Sequence, residues 1–134
     1  MANSQTVAIS LRPGDNQHVP ETAASVIFGR GAVVLVTLND PREKFWGGVL
    51  ELTAAGLSIR GIDLNSLDDF ASLVRDGEPA AAGAVFFPMH RIERIELDAR
   101  NGAIPSLAER FAAKSGRDAA QFLDLGELSM ERRS

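Results

Sequence analysis

Two adjacent glycines, Gly47-Gly48, interrupt the middle of a run that otherwise reads as one long strand, EKFWGGVLEL, Glu43 to Leu52. Glycine weakens a strand because it brings no side chain to pack, but it lets the backbone bend sharply. A long strand that bends in its middle serves two sides of a curved sheet. The flanking residues add a second demand. Phe45 and Trp46 are adjacent, so the two-residue period of a strand sends their rings to opposite faces. One ring can fill a core. The other must be covered by a further element, an N-terminal arm or a C-terminal helix, or stand as an interface or a stacking platform.

The segments around this strand are also of strand type. Val33 to Leu38 is apolar at consecutive positions, which implies burial on both faces, as in a small barrel or at an interface. Asn39-Asp40-Pro41 is a turn signal. Thr53-Ala54-Ala55-Gly56 is a second turn, with Gly56 the natural residue for a positive φ. Leu57 to Ile62 then alternates as a third strand. The period changes at Ser66 to Arg75, where Leu67, Phe70, Leu73 and Val74 form a helical stripe, Ser66 and Asp69 hold capping positions, and Gly77 and Pro79 stop the helix. Val85-Phe86-Phe87 and Ile92 to Leu97 read as strands four and five, with a bulge or tight turn across Pro88 to Arg91. Beyond Asn101-Gly102 the pattern is helical again. Ser106 and Glu109 form a capping box, Gly116 stops that helix, and a short helix over Asp118 to Leu125 follows. The organisation is a polar N-terminal arm (1–25, with Val7, Ile9 and Leu11 alternating), a small sheet domain (26–100) with a helical insertion (63–83), C-terminal helices (101–126) and a tail (127–134).

At 134 residues the chain can bury one core but not two independent ones. It has no cysteine and no tyrosine, which excludes disulfides, thiolate chemistry and tyrosine chemistry. Its two histidines, His18 and His90, are too far apart in sequence to suggest a metal motif. The net charge of -4 lies entirely beyond residue 60 and forms no basic stripe, so nothing signals DNA. No apolar run is long enough to cross a bilayer, and the N-terminus lacks the basic-then-apolar order of a secretory signal, so a cytoplasmic setting is expected. Gly29-Arg30-Gly31 has the spacing of neither nucleotide-binding glycine motif. Asp68, Asp69 and Asp76 lie on or beside one short helix without a histidine, and acidic residues in a first helical turn already have a reason in the helix dipole. No cofactor, metal or catalytic constellation is expected.

The segments GAVVLVTLN, KFWGGVLELTAAGLSIRGIDL and VFFPMHRIERIEL, spanning about residues 31 to 98, together resemble the Sm-like and SH3-like small barrels, and most closely an uncharacterised bacterial family of that shape. The resemblance implies a mainly β fold: a five-stranded, partly open barrel with an inserted helix at about 66–75 and one or two C-terminal helices. It implies strands four and five pairing edge to edge between subunits in a ring of five to seven. The chain departs from the family where a uridine is bound: Leu52 to Gly56 offers no carboxylate or amide, and Pro88-Met89-His90-Arg91 replaces the family's basic segment. The expected function is therefore a non-catalytic, self-assembling Sm-like interaction module. The alternatives are a single-stranded RNA-binding Sm-like protein and a small enzyme with a pocket at the 63–83 insertion. Expected partners are copies of itself, and a protein or an RNA.

Two groups of residues are singled out. Arg60, Asp63, His90 and Arg91 are candidates for ligand or RNA contact, since a turn arginine can grip phosphate or carboxylate bidentately. The bland alternatives are a turn-shaping His90 and a weak surface ion pair between Arg60 and Asp63. Phe45, Trp46, Val85, Phe87 and Ile95 are candidates for an interface.

Overall fold

The computed structural model describes residues 26–125. The arm and tail expected at 1–25 and 127–134 lie outside the described residues. Five strands form one antiparallel sheet: β1 (Val33–Leu38), β2 (Glu43–Leu52), β3 (Gly56–Asp63), β4 (Gly83–Pro88) and β5 (Ile92–Leu97), in the order β4-β3-β2-β1-β5. It is accompanied by the helices α1 (Leu67–Arg75), α2 (Leu107–Ser115) and α3 (Ala119–Phe122).

The alternation along β1 explains the two-layer build. Val34, Val36 and Leu38 are fully buried on one face, with Val49 of β2 and Leu57 and Ile59 of β3. None of the helices α1 to α3 packs on this inner face. The sheet coils until its own side chains bury one another, and Phe45 and Phe87 meet edge to face there at 5.2 Å. The opposite face carries Val33 and Leu35 of β1, Trp46 of β2 and Ile62 of β3, and packs against Leu67 and Ala71 of α1, Phe111 of α2 and Ala119 and Leu123 just beyond. Trp46 is fully buried and lies 5.7 Å from Phe111.

The coil of the sheet has a local cause. Gly47 of β2 stands directly opposite Gly61 of β3. A Cβ on Gly47 would come within 2.3 Å of the Arg60 carbonyl oxygen, and one on Gly61 within 2.1 Å of that of Trp46. The two backbones approach as only glycine allows. A register shift between Val49 and Glu51 adds a bulge just beyond, which increases the local twist. Gly56 differs from expectation: its φ is not positive. It lies within β3, where a Cβ would meet the Phe87 carbonyl oxygen at 2.2 Å and the Phe86 ring at 2.7 Å.

The predicted barrel is corrected by the strand order. β4 and β5 are the two edges, and no hydrogen-bonded pairing joins them, so the sheet is open. The fold is mainly β, an open antiparallel sheet with helices, and not an Sm-like or SH3-like barrel. The ring of five to seven and the RNA function that followed from the barrel lose their basis with it. The physical reason lies in β1. Apolar residues on both of its faces arise here from helices on one side and sheet coiling on the other, which leaves the same sequence trace as a closed barrel.

The helix ends show which local signals act. Ser66 makes no side-chain cap bond, and Asp63 instead accepts from the Asn65 amide at 2.8 Å. Ser106 and Glu109 do form the capping box: Ser106 Oγ accepts from the Glu109 amide at 3.0 Å, and Glu109 Oε1 accepts from the Ser106 amide at 2.7 Å. That amide, with the Arg100 guanidinium adding to it, holds the Glu109 carboxyl below the usual glutamate range. A lowered folded value means that this contribution is complete above the unfolded value, about 4.3, and is lost as pH falls through the folded one. Between pH 7 and pH 3 the melting temperature of Glu109→Gln is therefore expected to fall less than that of the parent, as read by circular dichroism. Equal falls would show that the carboxylate adds nothing pH-dependent.

Candidate interaction surface

The residues singled out in the sequence are not brought together. Arg91 is consumed by structure. Its guanidinium donates to the Asn39 carbonyl, to that of Pro41 at 2.8 Å and to Glu43 Oε1 at 3.1 Å, fastening β5 to the β1–β2 turn. His90 is exposed in the 3-10 turn Met89–Arg91. Asp63 caps the turn after β3, and no ion pair joins it to Arg60 among the described residues. Trp46 is internal, and its indole N–H donates to Asp98 Oδ2 at 3.2 Å. Phe45, Phe87 and Ile95 are half-buried on the inner face.

Asp68 of α1 pairs with Arg110 at 3.2 Å, and Asp76 just beyond the helix pairs with Arg75 at 2.9 Å. No three metal-ligating side chains converge among the described residues. A shallow depression of about 220 Å³ lies between the 80–82 segment and α3, with Arg117 and Asp124 among its lining residues.

What stands out is the edge of the sheet formed by β4. Its sequence, GAVFFP, carries no charge, and Val85 and Phe86 are 37% and 52% exposed. The other edge is different: β5 reads IERIEL, and its charges are paired as Arg42–Glu93 at 3.2 Å and Arg94 with Glu96. Charged side chains on an edge strand block pairing with other chains, and a bare apolar edge invites it. The direction of the free backbone groups follows from the ladder. The Met89 amide donates to the Ala55 carbonyl, and the Gly56 and Thr53 backbones bond each other, so odd-numbered residues of β4 bond to β3. Ala84 and Phe86 therefore turn both N–H and C=O outward. Pro88 turns out a C=O alone.

Arg60 belongs to this surface. It lies on the helix-bearing face of β3, directly opposite Ala84. Its Nε is buried with no hydrogen-bond partner, and its guanidinium makes no ion pair among the described residues. The resemblance implied that strands four and five are the edges, and the strand order places both there. Sequence reading singled out Arg60, Val85 and Phe87 but not Ala84 and Phe86, whose outward backbone groups follow from the register with β3.

The class defined by this geometry is an open five-stranded antiparallel sheet with helices on one face and, among the described residues, one edge that carries no charge. Compared with family models, curated proteins and solved structures, the chain matches none. Among the described residues no helix is long and apolar enough to cross a membrane.

Proposed function

We propose that this is a non-enzymatic binding domain that takes up an extended, uncharged strand along the free edge of β4. The observation that carries the reading is the contrast between the bare β4 edge and the charged β5 edge. In such strand addition, main-chain hydrogen bonds give affinity and alternate side chains give specificity. Here Ala84 and Phe86 supply the main-chain groups, and the exposed Phe86 and Val85 supply one contact on each face. The engagement of Arg91 and Asp63 in turns supports a role without catalysis. A cytoplasmic setting is part of the proposal, supported by the ordinary mixed-sign charge of the chain.

The test is amide hydrogen exchange at low protein concentration. Ala84 and Phe86 are expected to exchange freely and Val85 and Phe87 slowly. Adding a synthetic peptide of alternating valine and threonine, flanked by lysines, should slow Ala84 and Phe86 while leaving the outward amides of β5 unchanged. If the peptide at millimolar concentration slows neither residue, or slows both edges alike, the reading fails.

A further inference from the structure

We infer that the strand received by β4 is β4 of a second copy, laid antiparallel across a two-fold axis at Val85; this rests on the edge reading above and names its partner. A two-fold contact brings one patch against itself, so it must be self-complementary. A charged strand set against itself risks placing like charges together, and β4 has none to place.

The register follows from the free backbone groups. Only outward-facing residues can exchange bonds, so even-numbered residues must face even-numbered ones. With Val85 on the axis, Ala84 faces Phe86 of the second copy and Phe86 faces its Ala84. Every outward N–H and C=O of these residues is then satisfied, four bonds in all by the antiparallel rule. Moving the axis to Phe86 would set the Ala84 carbonyl against Pro88, which has no N–H to give. Moving it to Ala84 would set Phe86 against Ala82, which is buried and lies outside the strand.

The same register gives Arg60 a partner. Arg60, Ala84 and Phe86 of the second copy fall in one lateral row on the helix-bearing face. The backbone that carries the second ring lies about 9.6 Å from the Arg60 backbone, two strand spacings, a distance an arginine and a phenylalanine side chain together can bridge across an alanine. The Phe86 ring leans over Gly56 of its own β3, and a turn of its side chain toward the edge brings it to the guanidinium, which is unpaired among the described residues, as a cation–π pair once from each side.

The test exploits the lack of any native cysteine. At the axis, Val85 faces its own copy as a non-hydrogen-bonded pair with Cα atoms about 4.5 Å apart, within disulfide range. Under mild oxidation Val85→Cys should cross-link rapidly into a dimer, whereas Ala84→Cys and the exposed control Leu73→Cys should not. Arg60→Ala should weaken the dimer roughly threefold or more in light scattering across a concentration series. Equal, slow cross-linking of all three cysteine variants, or a parent that stays monomeric at millimolar concentration, overturns the inference. In that event, slowed Ala84 and Phe86 exchange with the peptide would leave the edge reading standing with another strand as partner. Unslowed exchange would remove both.

Discussion

Gly61→Ala is expected to lower the melting temperature by about 12–20 °C, a loss of about 3–5 kcal/mol for a domain of this size. The cause is backbone against backbone. The new methyl would lie 2.1 Å from the Trp46 carbonyl oxygen and 2.7 Å from the Gly47 Cα. Neither atom is the end of a side chain that can swing away. Relief requires β2 and β3 to part at the point where the sheet coils, which opens the inner face around Val49 and Ile59. Gly47→Ala meets the mirror-image obstacle, 2.3 Å from the Arg60 carbonyl oxygen, and should behave alike. Gly83→Ala is the control. Nothing lies within 4 Å of the place its methyl would take, and its φ is not positive. That variant should be neutral or gain up to about 1 kcal/mol through a less flexible unfolded chain. Thermal melts of the three decide the matter. If Gly61→Ala melts within about 2 °C of the parent, the strands do not approach as described.

Gly47-Gly48 announced this bend in the sequence, but its counterpart Gly61 did not. A register is a property of two strands, and the local pattern before Gly61, Leu57 and Ile59 alternating with Ser58 and Arg60, reads as ordinary strand. The same limit explains the barrel. Consecutive apolar residues at Val33, Val34 and Leu35 say that both faces are covered, not by what. The helical stripe at Leu67, Phe70 and Val74 was plain because its period is local, and α1 lies there. The box at Ser106 and Glu109 was plain for the same reason, whereas Ser66 lost its capping role because the carboxylate of Asp63 orders the turn before it. Phe45 and Trp46 had to diverge, and they do: one meets Phe87 inside the coil, the other lies under α2. The edge character of β4 depends on which strands find partners, so Phe86 carried no mark of its exposure.

Asp98→Ala is expected to cost about 3–5 kcal/mol, since hydrogen bonds to a charged group are worth about 1.5–3 kcal/mol each and three of them share this carboxylate without adding fully. Asp98 follows β5 and had no local signal. It accepts from the Leu107 amide at 2.7 Å, the Ala108 amide at 2.8 Å and the Trp46 indole at 3.2 Å. The first four amides of a helix have no partner within it. In α2, Asp98 serves Leu107 and Ala108, while the capping box serves Ser106 and Glu109, so all four are satisfied. Removing the carboxylate strands two helix amides and the N–H of a fully buried tryptophan at once. The same group fixes where α2 docks, because it joins the end of the sheet, the start of the helix and the ring beneath it. Asp98→Asn should fall between parent and alanine, since one amide oxygen can still accept while its NH₂ faces other donors. Trp46 is the sole tryptophan, so its fluorescence reports the contact directly. In Asp98→Ala the emission should shift to the red before global unfolding in urea, with the midpoint lowered. A loss below about 1 kcal/mol with unchanged emission would show that other groups hold α2 on the sheet.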